Sequence, residues 1–179
     1  MERTVESTFL HIARSKLTVH LTDQIRTCLN ALDDEQIWWR PNEKANAVGN
    51  LVMHCAGSTR YYIGHVVGGE AFIRDRKAEF AERRKIPKVA LLAELNNAVK
   101  EAEVVLTAFD PKRLLDTTER ASEPSTYMHI IELQLVHYAA HTGQIIYATK
   151  LIRSDAIDDL WQNTTPRQAT KADPYYSGK

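Results

Sequence analysis

The chain has 179 residues, 44% apolar and 26% charged, which suits one compact domain with a sizeable core. Lys plus Arg equals Asp plus Glu at 23 each, so the net charge is zero, and this argues against nucleic acid or an anionic membrane as the main partner. The first residues, MERTVE, lack a basic start followed by an apolar run, and no apolar stretch approaches the ~18 residues that cross a membrane.

The expected location is therefore the cytoplasm, with no membrane partner. There Cys28 and Cys55, the two cysteines, stay reduced rather than joined in a disulfide.

Glycine and proline are sparse and no alternating strand pattern stands out, so the expected class is all-α. The first helical pattern runs from about Thr4 to Leu32, with Leu10, Ala13, Leu17, Leu21, Ile25 and Cys28 near helical spacing. Asp33-Asp34-Glu35 ends it and caps a short turn into Ile37-Trp38-Trp39-Arg40-Pro41. The second starts near Asn46, an N-cap residue type, and runs to about Val67, where Gly68-Gly69 stops it. The charged stretch Arg74–Lys85 reads as a solvated crossover connection. Pro87 opens the third helix, with Val89, Leu92, Leu95, Val99 and Leu106 as its apolar face, and Asp110-Pro111 breaks it.

The stretch Leu114 to Pro124 reads as irregular. Ser125 or Thr126 caps the fourth helix, which runs to about Ile152. A short amphipathic piece, Ala156–Trp161, follows, and the segment 166–179 is a polar tail. The expectation is one domain over 1–165, built as a four-helix bundle with a long crossover connection.

On the fourth helix Ile130, Gln134, His137, His141, Ile145, Ala148 and Ile152 form one stripe, with Glu132 and Lys150 on the outward face. His137 and His141 lie one turn apart and point to the core in this reading. Buried imidazoles need partners for their nitrogens, and two on the same turn compete for them. A shared cation resolves the competition; the alternative is a chance pair in a chain with seven histidines. His54, mid-way along the second helix, supplies a third ligand only if that helix faces the fourth. Glu does not follow His137, so this is not a metalloprotease motif. His65 lies about 16 Å along the helix from His54, too far to share an ion. His11 and His20 read as surface or boundary residues, and His129 as exposed.

The set of His54 and His137-Tyr-Ala-Ala-His141-Thr-Gly-Gln144 resembles the DinB-like superfamily, four-helix bundles that include bacillithiol S-transferases and mycothiol-dependent enzymes. The resemblance is closer to one subfamily of unassigned function, through Trp38-Trp39-Arg40-Pro41, the Gly49–His54 segment, Arg74-x-Arg76-x-x-Glu79-Phe80 and His141–Gln144. It implies a divalent metal held by His54, His137 and His141, with zinc or nickel foremost and manganese or iron as further choices. It further implies that Gly143 lets helices approach closely. Gln144 then reaches the site itself, bonds a ligand from outside, or packs as a plain helix amide. Trp38 and Trp39 seal one end of the bundle. The Arg74–Phe80 segment either covers the pocket mouth or ties a loop to the bundle, the second being preferred.

The implied chemistry is activation of a low-molecular-weight thiol for transfer to an electrophilic small molecule, with no protein nucleophile. Metal-dependent hydrolysis and a non-catalytic metal- or ligand-binding bundle are the alternatives. A homodimer is expected from the same likeness. Cys55 reads as a core residue, and no obvious general base is visible.

Overall fold

Thr4 opens the first helix. Its Oγ1 accepts from the Ser7 amide at 3.2 Å, and the Ser7 hydroxyl accepts from the Thr4 amide at 2.9 Å, so two donors of the first turn are satisfied reciprocally. The computed structural model describes residues 4–155 and 157. The expected piece at Ala156–Trp161, apart from Ile157, and the tail 166–179 lie outside the described residues.

The first helical path is continuous but not uniform. α1 (Val5–Ser15) passes through a π-helical stretch, Lys16–Leu21, into α2 (Thr22–Ala31). Thr22 Oγ1 donates to the Leu17 carbonyl at 2.7 Å and accepts from the buried Tyr138 hydroxyl at 2.8 Å. Asp33 then accepts from the Gln36 amide at 2.8 Å and caps α3 (Asp34–Ile37), as expected.

α4 (Val48–Thr59) does not take Asn46 as its cap. Ala47 stands there, and the buried Asn50 reaches back to accept the Ala47 amide at 3.2 Å. α4 continues through a second π-helical stretch, Arg60–Val67, and Gly69, at φ 84°, supplies the left-handed residue that ends it.

The charged connection is not merely solvated: it contains α5 (Arg76–Ala81), capped by Asp75. Pro87 precedes α6 (Lys88–Ala108). Its buried face is Leu91, Leu95, Ala98, Val99, Ala102 and Leu106. Val89, assigned to that face from spacing, is instead 74% exposed. A 3₁₀ turn, Pro111–Arg113, leads to two-residue strands β1 (Thr117–Thr118) and β2 (Ser125–Thr126), which pair antiparallel in the stretch expected to be irregular. Thr126 Oγ1 accepts from the His129 amide and caps α7 (Tyr127–Ile152).

Named contacts fix the directions of the bundle. Arg14 reaches Thr107 and Arg26 reaches Asn96, so α1–α2 runs antiparallel to α6. Tyr138 meets Thr22 and Arg153 meets the Ala31 carbonyl, so α7 runs parallel to α2. Near one end Trp38 packs on Gly49 and donates to the Ile86 carbonyl; further along, Arg60 pairs with Glu94 and Glu101. α4 and α6 are therefore parallel, and the connection between them must travel back along the bundle. That return passage is the crossover, and it lays α5 against α4.

The core is one cluster drawn from every long helix. On α7 its face is Ile130, Ile131, Gln134, Tyr138, Thr142, Ile145 and Thr149. His137 and His141 stand beside that face, half-buried, rather than on it. Gly143 does not serve a close approach within the bundle: a Cβ there would meet nothing within 4 Å.

Candidate metal centre

α4 packs on both α6 and α7, and this double contact buries His54 to 1% exposure on the side facing α7. α7 is antiparallel to it, so Gln134 meets Ser58 and Thr59 while His137, one turn on, meets His54. His54 Nε2 lies 2.9 Å from His137 Nε2, and His141 Nε2 lies 3.1 Å from the same atom. One ligand atom from each of the three residues falls within a 4.8 Å sphere of mutual separation. A tetrahedral ion at about 2.0–2.1 Å from each nitrogen would hold its ligands about 3.3 Å apart, so the rings would have to shift from these separations to receive one.

The outer nitrogens explain why the inner ones converge. His54 Nδ1 lies 2.7 Å from Glu79 Oε2, and His141 Nδ1 lies 2.9 Å from Gln144 Oε1. Arg74 Nη2 also lies 3.0 Å from His54 Nδ1, but it donates to Glu79 Oε2 at 2.8 Å. With the nearer carboxylate and the Gln144 oxygen as acceptors, each Nδ1 takes the proton and each Nε2 presents its lone pair inward. His137 Nε2 can satisfy at most one of them. Its own Nδ1 is buried without a partner. As neutral side chains alone, the trio leaves facing lone pairs unmatched; a cation at their meeting point would match all three. Burial, reinforced by the neighbouring charges of His141, His54, Arg74 and Arg76, lowers His137 to a pKa of about 4. Burial also lowers His141, against the opposing bond to Gln144. These two imidazoles are neutral near pH 7, the form in which an imidazole can bind a cation.

Glu79 was missed from sequence. It is a buried carboxylate contributed by the segment read as a loop tie. Arg74 holds it through Nε to Oε1 at 2.7 Å and Nη2 to Oε2 at 2.8 Å. Burial pushes this carboxyl up, but the bonds from His54 and Arg74 and the arginine's charge outweigh that, so it titrates below the usual carboxylate range. Phe80 covers the other side, its ring centroid 4.4 Å from that of His54, and Arg76 sits over Phe80. The tie exists as well: Asn50 Nδ2 donates to the carbonyls of Glu79 and Glu82 at 3.0 and 3.1 Å. Gly57 is the residue that lets α5 come this near, since a Cβ there would overlap Glu79 Oε1.

The remaining candidates stay apart from the cluster. His65 Nδ1 contacts the Glu70 carbonyl, and His129 is exposed beside Glu132. Cys28 and Cys55 are buried free thiols rather than a disulfide. Burial raises Cys28 to a pKa of about 11, and burial with the Glu79 charge raises Cys55 well above the ordinary thiol range, so neither is a ready nucleophile. Trp38 seals the end where α3, α4 and α6 meet, whereas Trp39 is 45% exposed. Among the described residues no helix is long and apolar enough to cross a membrane.

A family model described as "Protein of unknown function (DUF1572)" matches residues 4–166, and the chain belongs to that family. No curated protein and no solved structure matches it.

Proposed function

We propose that His54, His137 and His141 hold one divalent metal ion, with zinc or nickel foremost, and that the site activates a low-molecular-weight thiol for transfer to an electrophilic small molecule. The observation that carries the metal is the convergence of three Nε2 atoms whose outer nitrogens are committed elsewhere or stranded. The likeness to DinB-like bundles supports the transfer chemistry. When bound, an ion held by three neutral imidazoles keeps its full charge and supplies Lewis-acid activation at an open position.

The chain's own residues then have separate tasks. Glu79 and Gln144 fix the ring orientations of His54 and His141. Arg74 keeps Glu79 ionised and Phe80 shields His54 from water. The half-burial of His137 and His141 leaves that side open to a ligand. The thiol gives its proton to solvent and its sulfur forms a bond to the electrophilic carbon of the acceptor. The carbon's bond to its leaving group breaks, and the leaving group departs with that electron pair, taking a proton from solvent where it needs one. No protein nucleophile is needed.

Hydrolysis is the second reading, and one observation weighs against it. Both oxygens of Glu79 are already engaged, by Arg74 and His54, so this carboxylate is not free to take a proton from water. The test is elemental analysis of natively purified protein beside His54→Ala and His137→Ala, followed by a panel of thiol-conjugation, ester and amide substrates. Retained metal in the wild type alone, with turnover of the conjugation substrates, is expected. Equal metal content in all three proteins would defeat the site, ester or amide turnover would favour the hydrolase, and metal without turnover would leave a binding bundle.

A further inference from the structure

The outward face of α7 is the least explained surface of the molecule. Leu133, Val136, Tyr147 and Leu151 lie along it at helical spacing and are 39%, 60%, 68% and 57% exposed. Exposed Ala140 and Gly143 lie between them. This face is opposite the one that α7 buries in the bundle, so among the described residues nothing in the packing calls for apolar side chains there. Single exposed apolar residues are ordinary; a stripe of them about 27 Å long on one helix is not. Gly143 adds a second anomaly. It sits mid-helix, where glycine is unfavourable, and a Cβ would meet nothing within 4 Å, so the chain's own fold does not require it.

The order of residues along the stripe identifies the occupant. Large apolar residues stand at both ends and small ones in the middle. Leu133 and Leu151, Val136 and Tyr147, and Ala140 and Gly143 are each placed symmetrically about a midpoint near residues 141–142. The two charges on this face obey the same symmetry with opposite sign: Glu132 lies nine residues before residue 141 and Lys150 nine after it. A second α7 laid antiparallel across the first would therefore set Glu132 against Lys150 of the other copy twice. It would also cross at the small residues, where helices can come close, and match apolar ends. This is the self-complementary pattern that a two-fold interface demands.

We propose that this face of α7 is the surface through which two copies of the chain pair, antiparallel and two-fold symmetric, with the axis near residues 141–142. The inference stands apart from the metal, since no ligand lies on the stripe. Gln144, at its margin, is the one residue shared with the site.

Sedimentation equilibrium of the full chain tests it, run to about 100 μM, where a dimer with a Kd of about 1 μM is saturated. The wild type should be a dimer and Gly143→Arg a monomer. Glu132→Lys and Lys150→Glu each place like charges together at two points and should weaken association about tenfold. The double variant Glu132→Lys/Lys150→Glu restores opposite charges and should recover most of the loss. These positions are exposed, so circular dichroism should show every variant as helical as the wild type. A monomeric wild type, a dimer indifferent to Gly143→Arg, or a double variant no tighter than the singles would each overturn the proposal.

Discussion

His54 and His141 are aimed by what lies behind them. His54 is backed by an ionised carboxylate that is itself clamped by Arg74, whereas His141 is backed by the neutral amide of the exposed Gln144. The charged, buried partner should matter more. Glu79→Gln should weaken zinc or nickel binding on the order of 10–100-fold, and Gln144→Ala should fall at or below the lower end of that range. Competition with a chromogenic chelator measures both; equal effects would mean that Glu79 merely holds α5 in place. The same side chains set a pH dependence in the metal-free protein. His137 has a folded pKa of about 4 against an ordinary value of 6.5, so between these values the unfolded chain binds the proton and the native one does not. Stability is therefore complete above pH 6.5 and falls as pH drops towards 4. Glu79, also held low, loses its contribution on the same acidic side. Urea unfolding at pH 7 and pH 5 should show this loss, and His137→Phe should flatten it; an unchanged slope in that variant would assign the loss to other groups.

At the scale of elements, α5 is a small helix with a large consequence. It reaches His54 because Gly57 leaves room and because Asn50 donates to the carbonyls of Glu79 and of Glu82, the residue that ends the helix. Asn50→Ala would remove the bond to the Ala47 amide as well, at a cost of about 1–3 kcal/mol for the buried groups left unmatched. Hydrogen exchange across residues 74–82 should then speed up while α7 stays protected; uniform acceleration would mean that Asn50 supports the whole bundle rather than this tie. Much at this scale was legible in the sequence. Thr4, Asp33, Gly69 and Thr126 sit where the chain needs caps or a left-handed turn, and local chemistry of that kind is written in adjacent residues. Glu79 was not legible, because its role depends on a residue 25 positions away. Asn46 lost the cap to Ala47 and Asn50 for the same reason, since Asn50 is held by contacts to α5 rather than by its neighbours in sequence. Val89 misled because helical spacing alone places Leu91 and Val89 on competing faces, and packing against α4 chose Leu91.

At the scale of the whole molecule the decisive fact is which helices are neighbours, and helical periodicity is silent about that. Four long helical patterns and an all-α class followed from spacing, but the facing of α4 and α7 needed the parallel run of α4 and α6 and the crossover between them. That arrangement gives the candidate site its mechanical meaning. Two of its ligands stand on α7 and one on α4, joined otherwise by side-chain contacts such as Gln134 with Ser58 and Thr59. An ion held there clips the second helix to the fourth across 83 residues of chain. Such a clip binds only the native state, because the unfolded chain does not bring the three rings together. At free metal about 100-fold above its Kd the bundle should gain about 2.7 kcal/mol of stability. His141→Ala keeps both ligands closest to the core yet leaves only two, and should lose nearly all of this gain while its metal-free stability changes little, since the residue stands beside the core face rather than on it. Denaturant unfolding with and without zinc or nickel, for both proteins, separates the cases. An equal metal-induced gain in His141→Ala would place the ion somewhere other than between α4 and α7.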